Sequence, residues 1–151
     1  DINDATFYSP GDMAARIDKA ARATGQPRPR DIGEYVRCIN DSLALAYRRA
    51  VRQAMELSGR EVKVLHVVGG GIRNRLLCQL AADATGLPVL AGPAEGTTLG
   101  NVVIAARGAG VIDGDLSDLR RLIRSSSRLT RYTPNLDTSS NWDDVERRLF
   151  G

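Results

Sequence analysis

Val62-Lys63-Val64-Leu65-His66-Val67-Val68-Gly69-Gly70-Gly71-Ile72-Arg73-Asn74 is the stretch on which the fold turns. Val62 to Val68 is a near-continuous β-branched and aliphatic run, the pattern of a strand covered on both faces in a parallel sheet. Gly69-Gly70-Gly71 ends it. Asn74 can cap a helix running to about Thr85, with Leu76, Leu77, Leu80, Ala81 and Ala84 turned inward. Gly86 stops that helix, and Pro88 to Ala91 makes a short second strand. Strand, glycine turn, helix and strand form a βαβ unit, expected to be right-handed.

Working upstream, Asp31-Ile32-Gly33-Glu34 has the pattern of a helix start. Ile32, Val36, Ile39, Leu43, Ala46, Tyr47, Ala50, Ala54 and Leu57 hold helical period, and Ser58-Gly59 stops them. A helix of this length is about 40 Å long. An earlier, shorter helix opens at Ser9-Pro10-Gly11-Asp12, with Ser9 read as the cap, and closes near Thr24-Gly25. Downstream, helices are expected from about Thr97 to Arg107 and from about Leu116 to Ser125. Leu129 to Pro134 is then expected to be extended, and Trp142 to Phe150 to form a terminal helix. Only two strands stand out, and a two-stranded parallel sheet leaves both outer edges unpaired. The fold class is therefore α/β, a βαβ unit with long covering helices that reads as half of a doubly wound domain. The opening residue, Asp1 rather than Met, favours a processed product, a trimmed form or an internal fragment.

Composition narrows the function classes. Of 151 residues, 42% are hydrophobic and 26% charged, ordinary for a globular domain. No apolar run approaches the length of a bilayer span, and no leader pattern opens the chain, so a cytoplasmic protein without a membrane partner is expected. The two cysteines, Cys38 and Cys78, fall on different helices without metal-ligand spacing, so a disulfide or zinc site is not expected; buried free thiols fit a reducing compartment. The net charge of +3 comes with arginine clusters at Arg48, Arg49 and Arg52 and from Arg120 to Arg131. With no interleaved aromatics they read as solvated helix faces rather than a nucleic-acid surface.

Three glycines between a strand and a helix let a ligand lie against bare backbone, and the helix start favours phosphate. The dipole contributes only about 0.3–1 kcal/mol. No Gly-Lys-Ser/Thr follows, which excludes a Walker A loop. The third glycine of the dinucleotide fingerprint is missing, with Asn74 near its place. On spacing alone the turn reads equally as a tight connection or as a binding site.

His66 to Leu77, Gln79 to Val89 and Gly92-Pro93-Ala94-Glu95-Gly96-Thr97-Thr98-Leu99-Gly100-Asn101 resemble, in unbroken order, the adenosine-contacting region of the FGGY carbohydrate kinases. Gly100-Asn101, Ser9 to Ile17, Arg37 to Tyr47 and Tyr132-Thr133-Pro134-Asn135 are similar to the rhamnulokinase branch of that family. The resemblance implies a partial actin-like (ribonuclease H-like) ATPase domain, with residues 1–151 forming the carboxy-terminal portion of the nucleotide-binding domain. It implies ATP and a ketose as partners, with Mg2+ in the complete enzyme, and γ-phosphate transfer from ATP to the sugar, L-rhamnulose giving L-rhamnulose 1-phosphate. By position it places Gly70 against the nucleotide and Asn74 near its adenine or ribose, with Gly69 and Gly71 shaping the turn. Glu95 and Gly100 are read as structural, at the next helix start.

The family's catalytic Asp, a general base on the attacking hydroxyl, belongs to a motif that precedes the matched region. No catalytic or metal-binding residue is therefore nominated, and little kinase activity is expected from these residues alone. His66, inside the strand pattern, reads as a packed core histidine, and Asp113-Gly114-Asp115 as a turn. Ala21, Ala81 and Thr85 stand where some rhamnulokinases carry disulfide-capable cysteines. Two alternatives stay open. One is an inactive fragment or interaction domain that self-associates through a strand edge. The other is a sibling kinase for fuculose, xylulose or gluconate.

Overall fold

A computed structural model describes residues 1–135 and 139–150. Six α-helices and three short strands follow in the order α1 (Met13–Ala23), α2 (Ile32–Ser58), β1 (Leu65–Val67), α3 (Arg75–Thr85), β2 (Val89–Ala91), α4 (Gly96–Gly108), α5 (Leu116–Ser126), β3 (Thr130–Tyr132) and α6 (Ser139–Phe150). Two 3-10 turns, Ala5–Phe7 and Gly69–Arg73, precede α1 and follow β1.

The βαβ unit is present. β1 runs parallel to β2, pairing Leu65 with Val89 and Val67 with Ala91. The extended stretch after α5 supplies a third strand, β3, antiparallel on the other side of β2 with Tyr132 opposite Val89. One edge expected to be open is thus covered, and the order is β1-β2-β3.

Helix α3 is the hub. Cys78, Ala81 and Ala82 pack with Val89 and Ala91 on the sheet side, while Leu80 and Ala84 pack with Ala44, Leu45 and Trp142 on the other. Ala81, Ala82 and Ala84 have no exposed surface, and side chains that small let helix and sheet approach closely. Leu76, expected inward, is 42% exposed because it sits on the first turn, beyond the packed face.

Helix α2 starts and stops where its caps dictate. Asp31 accepts from the Glu34 N–H at 2.9 Å, and Gly59 closes the helix at φ 64°. Its buried face is not the expected stripe, however. Ile32 and Leu57 are 81% and 89% exposed and Val36 and Ile39 are exposed, whereas Asn40, Ala44, Leu45 and Arg48 are buried. Polar Asn40 and Arg48 are buried because α3 and α6 supply them with hydrogen-bond partners, which hydropathy alone does not register.

Arg48 corrects the reading of its cluster as a solvated face. Its guanidinium donates to the Ala84 carbonyl, to Asp143 and, at 2.7 Å, to Glu146, tying α2 to the end of α3 and to α6. Arg52 reaches the same two carboxylates at 2.7 and 3.0 Å, and Arg49 lies over the Phe150 ring at 3.7 Å. Around this network Val145, Leu149 and Phe150 pack against the α2–α3 cluster.

Helix α1 starts later than its Ser9 reading. The cap is Asp12, accepting from the Ala15 N–H at 3.0 Å, because the Ser9 and Pro10 carbonyls are taken by the Arg16 guanidinium. Tyr35 donates to Asp18 at 2.7 Å, holding α1 beside α2. Between them lies an open groove of about 1000 Å3, lined by Met13, Ile17, Ile39, Leu43 and Trp142 among others. Asp113-Gly114-Asp115, expected as a turn, is instead irregular backbone leading into α5, with Asp115 capping that helix in a reciprocal pair with Asp118. Among the described residues no helix is long and apolar enough to cross a membrane.

Candidate functional site

The triglycine turn and the loop after β2 sit together at the carboxyl ends of the two parallel strands, the place where open α/β sheets receive ligands. Two backbone hydrogen bonds join them. Gly92 N–H donates to the Val67 carbonyl at 2.8 Å, and Gly69 N–H donates to the Pro93 carbonyl at 3.1 Å.

The three glycines differ in what they do. Gly69 has φ 78°, a left-handed conformation that disfavours any side chain. Gly70 has no other group within 4 Å of the position a Cβ would take, so its backbone faces open space. A Cβ on Gly71 would meet only Val67 Cγ1, at an ordinary 3.7 Å. The fold therefore demands glycine at Gly69, tolerates alanine at Gly71 and leaves Gly70 bare without a local reason. Bareness at Gly70 is what a ligand lying against the backbone would need.

The strand does not hand over directly to the helix. A 3-10 turn, Gly69–Arg73, intervenes, and Asn74 then caps α3 by accepting from the Leu77 N–H at 3.0 Å. The Asn74 amide nitrogen donates to Asn40 on α2 at 2.7 Å. Both ends of the Asn74 side chain are thus engaged inside the protein. Asn40, which periodicity passed over, is the residue missed; the available signal was an amide on a helix face packed against another helix.

His66 is not a core residue. β1 is covered by α3 on one face, so Leu65 and Val67 are half-buried while His66 and Val68 are exposed. Glu95 precedes α4 without a side-chain cap, and a Cβ on Gly100 would meet nothing within 4 Å. Burial pushes the Cys78 thiol above its ordinary pKa, and Cys38, half-buried, is shifted the same way. Both are thereby kept protonated and poorly nucleophilic. Among the described residues no three His, Cys, Asp or Glu side chains converge to hold a metal ion.

An α/β domain with bare backbone at the mouth of a parallel strand pair is the class this geometry defines. The family model for the C-terminal domain of the FGGY family of carbohydrate kinases matches residues 1–109, and the chain belongs to that family. It is 44% identical over 138 residues to a rhamnulokinase of Klebsiella pneumoniae (strain 342), covering 91% of this chain and 28% of that protein. A Bacteroides thetaiotaomicron rhamnulokinase is 45% identical over 141 residues, covering 93% and 28%. The chain thus spans little more than a quarter of the length of these relatives. The structure of xylulose kinase from Rhodospirillum rubrum superposes with a TM-score of 0.60 at 25% identity, covering 82% of this chain and 24% of that one. The fold is that of an actin-like ATPase domain, present in part.

Proposed function

We propose that this chain forms the adenosine side of the cleft of an ATP-dependent carbohydrate kinase, one that transfers the γ-phosphate of ATP to a ketose hydroxyl. The observation that carries the reading is Gly70, where nothing lies within 4 Å of the position a Cβ would take, on the turn between β1 and α3 at the carboxyl ends of the parallel strands. In this reading adenosine lies along Gly69-Gly70-Gly71, and the start of α3 faces it. Residues outside this chain provide the general base and the loops that steady the phosphates. No residue of this chain is assigned to Mg2+; held elsewhere in the complete enzyme, it would supply neutralisation of charge developing on the transferred phosphate. The chain's own part is to orient the nucleotide and exclude water from one side of it.

The 44% identity to rhamnulokinases, against 25% to a xylulose kinase, favours L-rhamnulose as the sugar, giving L-rhamnulose 1-phosphate. A test is a chimera in which this chain replaces the matching part of the Klebsiella rhamnulokinase. L-rhamnulose-dependent ATP consumption is expected. Gly70→Val in the chimera should raise KM for ATP at least tenfold and leave KM for the sugar within about twofold, since the side chain enters only the nucleotide's place. Equal loss of both would count against the assignment.

A second reading, as an interaction domain, is favoured by the exposed stripe of Ile32, Val36, Ile39 and Leu57 on α2. Light scattering separates the two: self-association of the chain without ATP binding would favour the second.

A further inference from the structure

Asn40 sits in the middle of α2, 4% exposed, at a place where helix packing would ordinarily put an apolar residue. Its Nδ2 donates to the Val36 carbonyl at 2.8 Å, and its Oδ1 accepts from Asn74 Nδ2 at 2.7 Å. Asn74 Oδ1 in turn accepts from the Leu77 N–H. Both ends of this relay are backbone groups of fixed character. Leu77 offers only a donor and Val36 only an acceptor, so each amide is held in a single orientation.

Asn74 is also the joint of the turn. Its N–H donates to the Gly71 carbonyl at 3.1 Å, closing the 3-10 turn, and its own carbonyl accepts from the Cys78 N–H at 3.1 Å, opening α3. A buried side chain on α2 therefore grips the residue that joins the glycine turn to its helix. A buried polar atom costs stability unless satisfied, and the Asn40 Oδ1 is satisfied only while Asn74 keeps this position.

We infer that Asn40 is a positioning residue for the nucleotide-binding turn: it holds Asn74, and through it the angle at which the Gly70 backbone is presented. This rests on the nucleotide reading given above. Asn74 then couples α2 to the turn, with one hydrogen bond at each polar end of its side chain.

Asn40→Leu removes both the acceptor for Asn74 and the donor to Val36 while keeping the number and branching of side-chain heavy atoms. Asn74→Asp keeps the cap on Leu77 but offers Asn40 no donor. Each is made in the 15N-labelled chain, with amide exchange followed by NMR and ATP binding by calorimetry. Loss of one neutral hydrogen bond should speed exchange at residues 69–77 by about 2- to 12-fold. Amides of the α3 core, such as Ala81, should change less. The Asn74 side-chain NH2 resonance should shift in Asn40→Leu. ATP affinity should fall by a similar factor in both variants, and the double variant should lose no more than either single one. Uniform acceleration across α2 and α3, or unchanged exchange at residues 69–77, would overturn the inference. If Asn40→Leu unfolds, Asn74→Asp, an exposed position, carries the same test. Failure of the unaltered chain to bind ATP would count against the nucleotide reading, whereas unchanged variants of a chain that does bind it would count against Asn40 alone.

Discussion

Replacing Arg48 by Met should detach α6 from the rest of the protein. The Arg48 side chain is 6% exposed and its guanidinium meets three partners: the Ala84 carbonyl, Asp143 and Glu146. Orphaning a fully buried ion-pair partner costs about 3–5 kcal/mol. Here the cost is lower, because Asp143 is 49% exposed and Arg52 still reaches both carboxylates. The Ala84 carbonyl has no such substitute, and an unsatisfied buried acceptor costs about 1–3 kcal/mol. A net loss of about 2–3 kcal/mol follows. Urea denaturation followed by Trp142, the one tryptophan and a member of α6, should show the midpoint falling by about 1–2 M at ordinary slopes. Arg52→Met, at a half-exposed position, is the control and should cost about 0–1 kcal/mol. If both variants unfold at the same urea concentration, the buried guanidinium does not hold α6 and the reasoning fails.

Gly92→Ala should cost about 2–5 kcal/mol, since φ is 126° and its Cβ would lie 2.8 Å from the Arg128 carbonyl. Gly108→Ala meets nothing within 4 Å and should be neutral or stabilising by up to about 1 kcal/mol; thermal melts of the pair check both. Leu45→Ala, 4% exposed, should cost about 2–5 kcal/mol, while Leu57→Ala, 89% exposed, should stay within about 0.5 kcal/mol. Equal effects in chemical denaturation would contradict the observed facing of α2. The hydrogen bond from Arg52, then the charge of Arg48, holds the Asp143 carboxyl below its ordinary pKa. A folded-state pKa below the unfolded value of about 3.9 stabilises the protein above that pH, and this stability is lost as pH falls through the lowered value. Acid titration should therefore release Trp142 below about pH 3.9, and less steeply in Asp143→Asn.

Helix and strand positions were legible in the sequence wherever the signal is local. Asp31 and Gly59 bracket α2, Asn74 and Gly86 bracket α3, and caps act within one turn of the residues they satisfy. Which face of α2 is buried was not legible. Its polar contacts with the α3 cap and with α6 run through Asn40 and Arg48, with partners that lie 34 and 95 residues away. β3 gave no apolar run because Thr130-Arg131-Tyr132 is an outer strand with mostly exposed side chains. His66 was misplaced because a continuous hydrophobic run suggests cover on two faces, while among the described residues α3 covers only one. Of the candidate site, the turn itself could be read from three adjacent glycines. The unequal roles of Gly69, Gly70 and Gly71 could not, since they depend on a φ value and on neighbours from other elements.

The paired hydrogen bonds between the glycine turn and the loop after β2 have a kinetic consequence. Gly69 and Gly92 are each hydrogen-bonded to the opposite segment, so under the nucleotide reading proposed above this surface needs no new backbone pairing when a ligand docks. A molecule docking there loses its own freedom but orders little of the polypeptide. Association should accordingly be a single encounter step, linear in ligand concentration with no plateau at saturation, as expected for a rigid seat rather than a closing flap.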